Sequence, residues 1–347
     1  MTGPPPESPA RYAGFLQKFA RLRVGVVGDF LADRYIFGVP ARLSREAPVV
    51  ILRWEGEALG PGGAANSAAN LGALGARVSC VGTLGEDASG RALRERFRDA
   101  GADVSGLDLH SGVATIEKTR VLAGDLHRSK QQVIRVDREP DGPPPAATER
   151  RVLAAVRRLA PRMDAWLVSD YGYGTVTPRV YAALRDGKGG EGRVVVVDSR
   201  RRVREFPGAT ALTPNEEEAA LATGLALGTE EGAAGAGAEL LAATGAGHVL
   251  ITRGNQGLGL FSRGESPVFV PVSGGDEEIT DNNGAGDTVA ATFTLALAAG
   301  ACGVDAARLA NHAGGVVVMK PGAATLSTKE LLAQARRFAP RPQGKRR

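Results

Sequence analysis

The chain has 347 residues, 43% hydrophobic and 23% charged, with 43 Lys and Arg against 38 Asp and Glu for a net charge of +5. These proportions fit a folded globular protein and exclude a disordered polar chain. Two cysteines exclude a disulfide framework, four scattered histidines without a CxxC argue against a Cys/His metal site, and basic residues interleaved with acids argue against nucleic-acid binding.

Residues 1–20 open proline-rich and polar, without an apolar signal core, and read as a tail and lead-in. No apolar run is long enough for a membrane helix, so a cytoplasmic protein that does not engage membranes is expected. Arg23–Gly28 reads as a buried strand, Ala64–Leu74 as a helix and Val78–Val81 as the next strand. Ser89–Ala100 reads as an amphipathic helix capped by Ser89 and stopped at Gly101. Ala165–Val168 and Val194–Val197 are further buried strands, with a helix after Pro178 between them. His248–Thr252 is another strand, and helices follow near 285–299, 304–319 and 327–337. Strand–helix alternation of this kind implies a largely parallel sheet covered on both faces. Two segments, 34–53 and 112–137, alternate β-branched and aromatic residues with no helix between their strands, and predict a small antiparallel sheet beside the main body. The basic run 339–347 reads as a second tail.

There is no Walker-type GxxxxGK[ST], no GxGxxG after a strand and no GxSxG. The informative segment is Ile279-Thr-Asp-Asn-Asn-Gly-Ala-Gly-Asp-Thr288, followed by an apolar helical run. Gly284, Ala285 and Gly286 fall where a helix begins, so their amides are candidates for an anion site. Asp287 in the first turn suits a base that takes the proton of an attacking hydroxyl during phosphoryl transfer. The alternative is a glycine turn followed by an ordinary first-turn acid. In Leu59-Gly-Pro-Gly-Gly-Ala-Ala-Asn-Ser67, Gly62 and Gly63 allow backbone to approach a polyol and Asn66 offers donors and an acceptor; the alternative is a helix start with a buried asparagine.

Together, Gly-Gly-x-x-Asn early and Asp-x-x-Gly-Ala-Gly-Asp late resemble the two signatures of the ribokinase-like, or PfkB, carbohydrate kinases. The resemblance covers about residues 20–338, which makes 21–338 the expected kinase domain. It implies a three-layer α/β/α fold with a mainly parallel central sheet and a β-sheet lid, and the use of ATP, Mg2+ and an alcohol acceptor. Carried over by residue, it implies Asp287 as the catalytic base and Gly284, Ala285 and Gly286 as the anion hole. Asp33, with Asp29 as second candidate, and Gly62, Gly63 and Asn66 would face the sugar. Asn215 and Glu218, in Thr213-Pro-Asn-Glu-Glu-Glu218, would organise Mg2+ through water, unless the stretch is a plain acidic first turn of a helix. Thr252, Gly254 and Gly257 would form a nucleotide-side turn, and Asn311 would lie near the adenine.

Within the family, Ser44–Val50, Pro61–Asn66, Gln131–Asp137 and Ser169–Gly174 resemble the kinase domain of heptose-7-phosphate kinases. Those enzymes phosphorylate the anomeric hydroxyl of D-glycero-β-D-manno-heptose 7-phosphate on the route to ADP-heptose and lipopolysaccharide. Lys118, Arg120 and Arg42 are the candidate cations for the substrate's phosphate, and Asp170 is the candidate for its hydroxyls. This chain departs from the branch at Asn282-Asn283, where Val-Thr is usual, and at Val197-Asp-Ser-Arg200, where Val-Asp-Pro-Lys is common. The first departure falls in a segment that contributes to a monovalent-cation site, for which K+ at Asp281 is the expectation. Lid edges invite pairing with a second copy, so a homodimer is expected. The rival readings are another sugar, sugar phosphate or nucleoside as acceptor, and a non-catalytic sensor on the same fold.

Overall fold

The computed structural model describes residues 6–124, 130–185, 192–274 and 280–338. The basic 339–347 run lies outside the described residues. In chain order the elements are α1 (Pro9–Phe19), β1 (Arg23–Gly28), β2 (Phe30–Leu43), β3 (Val50–Gly63), α2 (Ala64–Ala73), β4 (Arg77–Gly85), α3 (Ala88–Asp99) and β5 (Asp103–His110). Next come β6 (Ile116–Ala123), β7 (Gln131–Arg138), α4 (Ala146–Leu159), β8 (Ala165–Asp170), α5 (Pro178–Arg185), β9 (Val194–Ser199), β10 (Ala211–Leu212) and α6 (Glu216–Thr223). The chain continues through α7 (Glu230–Thr244), β11 (His248–Thr252), β12 (Leu258–Ser262), β13 (Val268–Val270), α8 (Ala285–Ala298), α9 (Gly303–Val317) and α10 (Thr328–Phe338).

The central sheet runs β13-β12-β11-β10-β9-β8-β1-β4-β5. It is parallel except where β12 pairs with β11 and β13. Its strands are β-branched runs whose successive residues face opposite layers. Val26 and Leu167 enter one core with α1, α2, α8, α9 and α10, whereas Val27, Trp166 and Val168 enter the other with α4 to α7. The result is the expected three-layer α/β/α fold. β1 joins β4 on one side and β8 on the other, so the chain winds outward in both directions from the β1/β8 boundary. In open sheets of this kind the crevice for ligand opens at the carboxyl ends of the strands, at that boundary.

The lid differs from expectation in pairing and extent. Its order is β3-β2-β6-β7, and β2 pairs parallel with β6, so the sheet is mixed and not wholly antiparallel. Its first two strands begin at Phe30 and end at Gly63, beyond the expected 34–53, because β2 leaves the core one residue after β1 and β3 returns directly into α2. The lead-in is not a loose tail. Ser8 caps α1 by accepting from the Arg11 amide, and Tyr12, Leu16 and Phe19 are buried in the core. The cap of α3 is Asp87, which accepts from the Gly90 amide; Ser89 lies inside the helix and donates to Glu117 at 2.5 Å.

Candidate active site

A cleft of about 480 Å3 opens between the lid and the carboxyl ends of the central strands. Asp287 lies in its floor, in the first turn of α8. The helix starts at Gly284, whose φ of 75° lies in the left-handed region. A side chain there would also collide with Asn66, since a Cβ would stand 2.3 Å from its Nδ2. No side chain caps this helix end. The Gly286 and Asp287 amides, which have no acceptor within the helix, are left for an anion with the positive end of the helix dipole behind them. The Ala285 amide is used differently from expectation: it donates to the Asn282 carbonyl at 3.3 Å.

Asp287 is held on both oxygens. Oδ2 accepts from Asn66 Nδ2 at 2.9 Å, and Oδ1 accepts from the Tyr171 hydroxyl at 3.0 Å and from Ser67 Oγ at 3.3 Å. Burial pushes its carboxyl up to about 6, and the bonds from Asn66 and Tyr171 oppose that rise. A carboxylate tuned to that value is ionised at neutral pH yet basic enough to take a proton from a hydroxyl. Asn66 is fully buried and also donates to the Gly284 carbonyl at 3.3 Å, so it holds Asp287 and the start of α8 where a sugar contact was expected.

Of the residues expected to face the sugar and its phosphate, Asp33 of β2 and Arg120 of β6 line the cleft and form a buried pair at 2.7 Å. Arg120 also donates to Asn283 Oδ1 at 3.2 Å. Gly62 does not line the cleft; it makes room for Asp33, whose carboxylate oxygen would stand 2.8 Å from a Cβ placed there. Gly63 does line it, with a φ of 55° at the start of α2. Lys118 lines it beside the Tyr171 ring. Arg42 lies far along β2, exposed.

Two expected sugar ligands turn elsewhere. Asp29 is buried and accepts the backbone amides of Tyr171, Tyr173 and Thr175 at 2.8, 3.1 and 3.2 Å, which fixes the loop that carries Tyr171. Asp170 is fully buried and is taken by Arg202 at 2.6 Å and Ser199 at 2.7 Å. A carboxylate at a strand end satisfies neighbouring donors first when they are within reach.

Of the residues expected on the nucleotide side, Thr252, Gly254, Asn215 and Glu218 line the cleft. Asn215 and Glu218 form a capping box at the start of α6: Asn215 Oδ1 accepts from the Glu218 amide at 2.8 Å, and Glu218 Oε2 accepts from the Asn215 amide at 2.9 Å. Gly257 is structural, since a Cβ there would stand 2.1 Å from the Val270 carbonyl oxygen. Asn311 donates to the Pro271 carbonyl at 2.7 Å and does not line the cleft. Asp281 likewise spends both oxygens, on the amides of Asn283 at 2.9 Å and Gly322 at 3.0 Å.

Cleft residues to which the sequence assigns no role include Tyr171, Asp198 and Arg200. Tyr171 and Arg200 follow the carboxyl ends of β8 and β9 and Asp198 lies at the end of β9, which is where an open parallel sheet places ligand contacts, and that rule was the available signal. Burial holds the Asp198 carboxyl well above the usual carboxylate range, with Glu218 and Asp287 adding to the effect. Burial raises Glu218 as well. Carboxylates facing one cleft and raising one another fit a divalent cation bound partly through water and phosphate oxygens. Among the described residues, no group of three or more His, Cys, Asp or Glu side chains is placed to hold a metal ion by itself.

The family of pfkB carbohydrate kinases matches residues 24–130 and 186–330. The chain belongs to the pfkB family of carbohydrate kinases. It is therefore a sugar kinase that uses ATP with a divalent metal, typically Mg2+. The bifunctional protein HldE of Caulobacter sp. (strain K31) is 41% identical over 320 residues, which are 91% of this chain and 63% of that protein. HldE of Geobacter metallireducens is 40% identical over 308 residues, 88% of this chain and 61% of that protein. The chain thus spans less than two thirds of the length of these relatives. Ribokinase from Arabidopsis thaliana, solved with ribose and ATP, superposes with a TM-score of 0.71 at 23% identity, covering 90% of this chain and 98% of that one. Phosphofructokinase-2 from Escherichia coli, solved with potassium, superposes with a TM-score of 0.72 at 17% identity, covering 91% and 99%. These two likenesses bear on fold alone. Among the described residues, no helix is long and apolar enough to cross a membrane.

Proposed function

We propose that this kinase transfers the γ-phosphoryl group of ATP to the anomeric hydroxyl of D-glycero-β-D-manno-heptose 7-phosphate, giving the 1,7-bisphosphate for ADP-heptose synthesis. The observation that carries the kinase chemistry is Asp287, at the anion-binding start of α8 and in the floor of a cleft with an acceptor wall and a nucleotide wall. The heptose acceptor is supported by the four segments that resemble heptose-7-phosphate kinases and by the similarity to the HldE proteins over most of this chain.

In the proposed reaction the sugar oxygen forms a bond to the γ-phosphorus, the bond from that phosphorus to the β,γ-bridging oxygen breaks, and ADP leaves. Asp287 takes the proton from the attacking hydroxyl, with Asn66 and Tyr171 fixing the carboxylate's orientation. The unpaired first-turn amides of α8 receive the oxygens of the transferring group. Asp198 and Glu218 would hold Mg2+ through water, and Asn215 positions Glu218 through the capping box. The metal supplies neutralisation of phosphate charge. Asp33 would bind sugar hydroxyls from its pair with Arg120, and the lid would keep water from competing as acceptor.

The same reading includes a homodimer through the lid. The lid leaves Leu43, Val50, Trp54, Val133, Ile134 and Val136 exposed, apolar side chains of the kind a second copy would cover. Equilibrium sedimentation of a monomer at micromolar concentration would refute it. K+ is proposed as the monovalent ion; with both Asp281 oxygens engaged, backbone carbonyls would be its ligands.

The test is ADP release with Mg-ATP and a panel of heptose 7-phosphate, fructose 6-phosphate, fructose 1-phosphate, ribose and adenosine, each in K+ and in Na+. The heptose phosphate is expected to lead in kcat/KM by about a hundredfold or more. A lead by another sugar would discard the heptose acceptor and keep the kinase.

A further inference from the structure

The lid is tied to the central body on the α3 side, where Arg34 donates to Ser89 Oγ at 3.2 Å and Ser89 donates to Glu117 at 2.5 Å. It is tied again at the start of α8, through Asn283. Asn283 Oδ1 accepts from Arg120 at 3.2 Å, and Asn283 Nδ2 donates to the Tyr35 hydroxyl at 3.2 Å. Arginine only donates, so the amide oxygen must face Arg120 and the amide nitrogen is left for Tyr35. The two partners lie 163 and 248 residues away in sequence, on different lid strands.

Those partners form one unit of the lid. Tyr35 of β2 stands opposite Arg120 of β6 in the parallel register, with the guanidinium 5.6 Å from the centre of the ring. Asp33, two residues before Tyr35, shares its face of β2 and accepts from Arg120 at 2.7 Å. Arg120 is buried, and Asp33 and Asn283 are acceptors that fix its direction.

Asn283 in turn sits on a braced turn. Its backbone amide donates to Asp281 Oδ1 at 2.9 Å, and Asp281 Oδ2 accepts from the Gly322 amide at 3.0 Å. The next residue, Gly284, opens α8, and Asn66 joins the Gly284 carbonyl to the Asp287 carboxylate. A shift of the lid against this turn therefore moves Asp33 relative to Asp287. Misplacement of reacting groups by about 1 Å costs about a hundredfold in rate. The Val-Thr usual at these positions in the resembling branch offers at most one hydroxyl, carried on Cβ. The asparagine amide presents a separate donor and acceptor one bond further out.

We propose that Asn283 is a positioning residue for phosphoryl transfer: its side-chain amide latches lid strands β2 and β6 to the turn that opens α8, and so sets the lid wall in register with Asp287. The inference rests on the reading that this wall faces the sugar.

The test is steady-state kinetics of Asn283→Ala, Tyr35→Phe and the double variant, using the member of the sugar panel with the highest wild-type kcat/KM. Asn283→Ala should raise KM for the sugar about tenfold and lower kcat severalfold, with KM for ATP held. Loss of folded protein alone would scale kcat and leave both KM values unchanged. Tyr35→Phe keeps the ring and removes the hydroxyl. It should raise the sugar KM severalfold, and the double variant should be no worse than Asn283→Ala, because both remove the same link. An unchanged sugar KM in Asn283→Ala, an equal rise in KM for ATP, or effects that multiply in the double variant would overturn the proposal. Asp33→Asn in the same assay separates the inference from the reading beneath it. A higher sugar KM with Asp33→Asn but not with Asn283→Ala would refute the latch and leave the sugar-facing wall. An Asp33→Asn effect on KM for ATP instead of the sugar would refute the wall itself.

Discussion

The two ends of the cleft are built by different means. At the proposed nucleotide end, Asn215 and Glu218 satisfy each other across three residues of sequence, and Gly254 sits in a tight local turn with a φ of 54°. At the proposed acceptor end, Asp33 finds Arg120 across 87 residues, and Asn66 finds Asp287 across 221. The first end is a set of local motifs that form when their own segment folds. The second exists only once the lid is paired and α2 meets α8. A substitution at the acceptor end is therefore expected to disturb the assembly as well as the chemistry.

Asp33→Asn makes the larger of the two expected disturbances. It leaves the Arg120 guanidinium buried without its counter-charge, which costs about 3 kcal/mol in comparable buried pairs. Chemical denaturation should register that loss, and KM for the sugar should rise by about tenfold or more with KM for ATP held. A variant of wild-type stability whose KM rises for ATP would erase the distinction between the two ends. Asn215→Ala makes the smaller disturbance. It removes one half of a capping box, worth about 1 kcal/mol, and frees Glu218 to move. Its stability should fall by that amount, with KM for ATP raised severalfold and KM for the sugar held. A loss as large as that of Asp33→Asn would mean that the nucleotide end is also tertiary in origin.

The same contrast explains what the sequence made legible. The continuous apolar runs of β1, β8, β9 and β11 identify buried parallel strands because both faces of each strand are covered. The glycines and Asp287 at the start of α8 are legible because a helix start is a local event. The lid strands are visible as alternating patterns, but the parallel β2–β6 pairing joins segments separated by an entire β–α excursion and leaves no local mark. Asp29 and Asp170 look like sugar ligands because an acid at a strand end has the same sequence whether it faces the cleft or a backbone amide. Arg200 and Tyr171 fall in segments the sequence singles out but receive no role from it, because one side chain stacking on another leaves no mark in sequence. The docked helix α1 was readable in part: Ser8-Pro9 is a cap followed by a first-turn proline, with Tyr12, Leu16 and Phe19 at helical spacing.

The central claim is that Asp287 is the base. The most direct test is the pH dependence of kcat/KM for wild type and Asp287→Asn, with ATP binding measured on both. A base must be deprotonated to act, so wild-type activity should fall tenfold per pH unit below about 6, the value set by burial of the carboxyl. The asparagine variant should bind ATP, turn over about a hundredfold more slowly or worse, and show no inflection near that pH. A variant that keeps wild-type turnover, or the same acidic limb, would contradict the assignment.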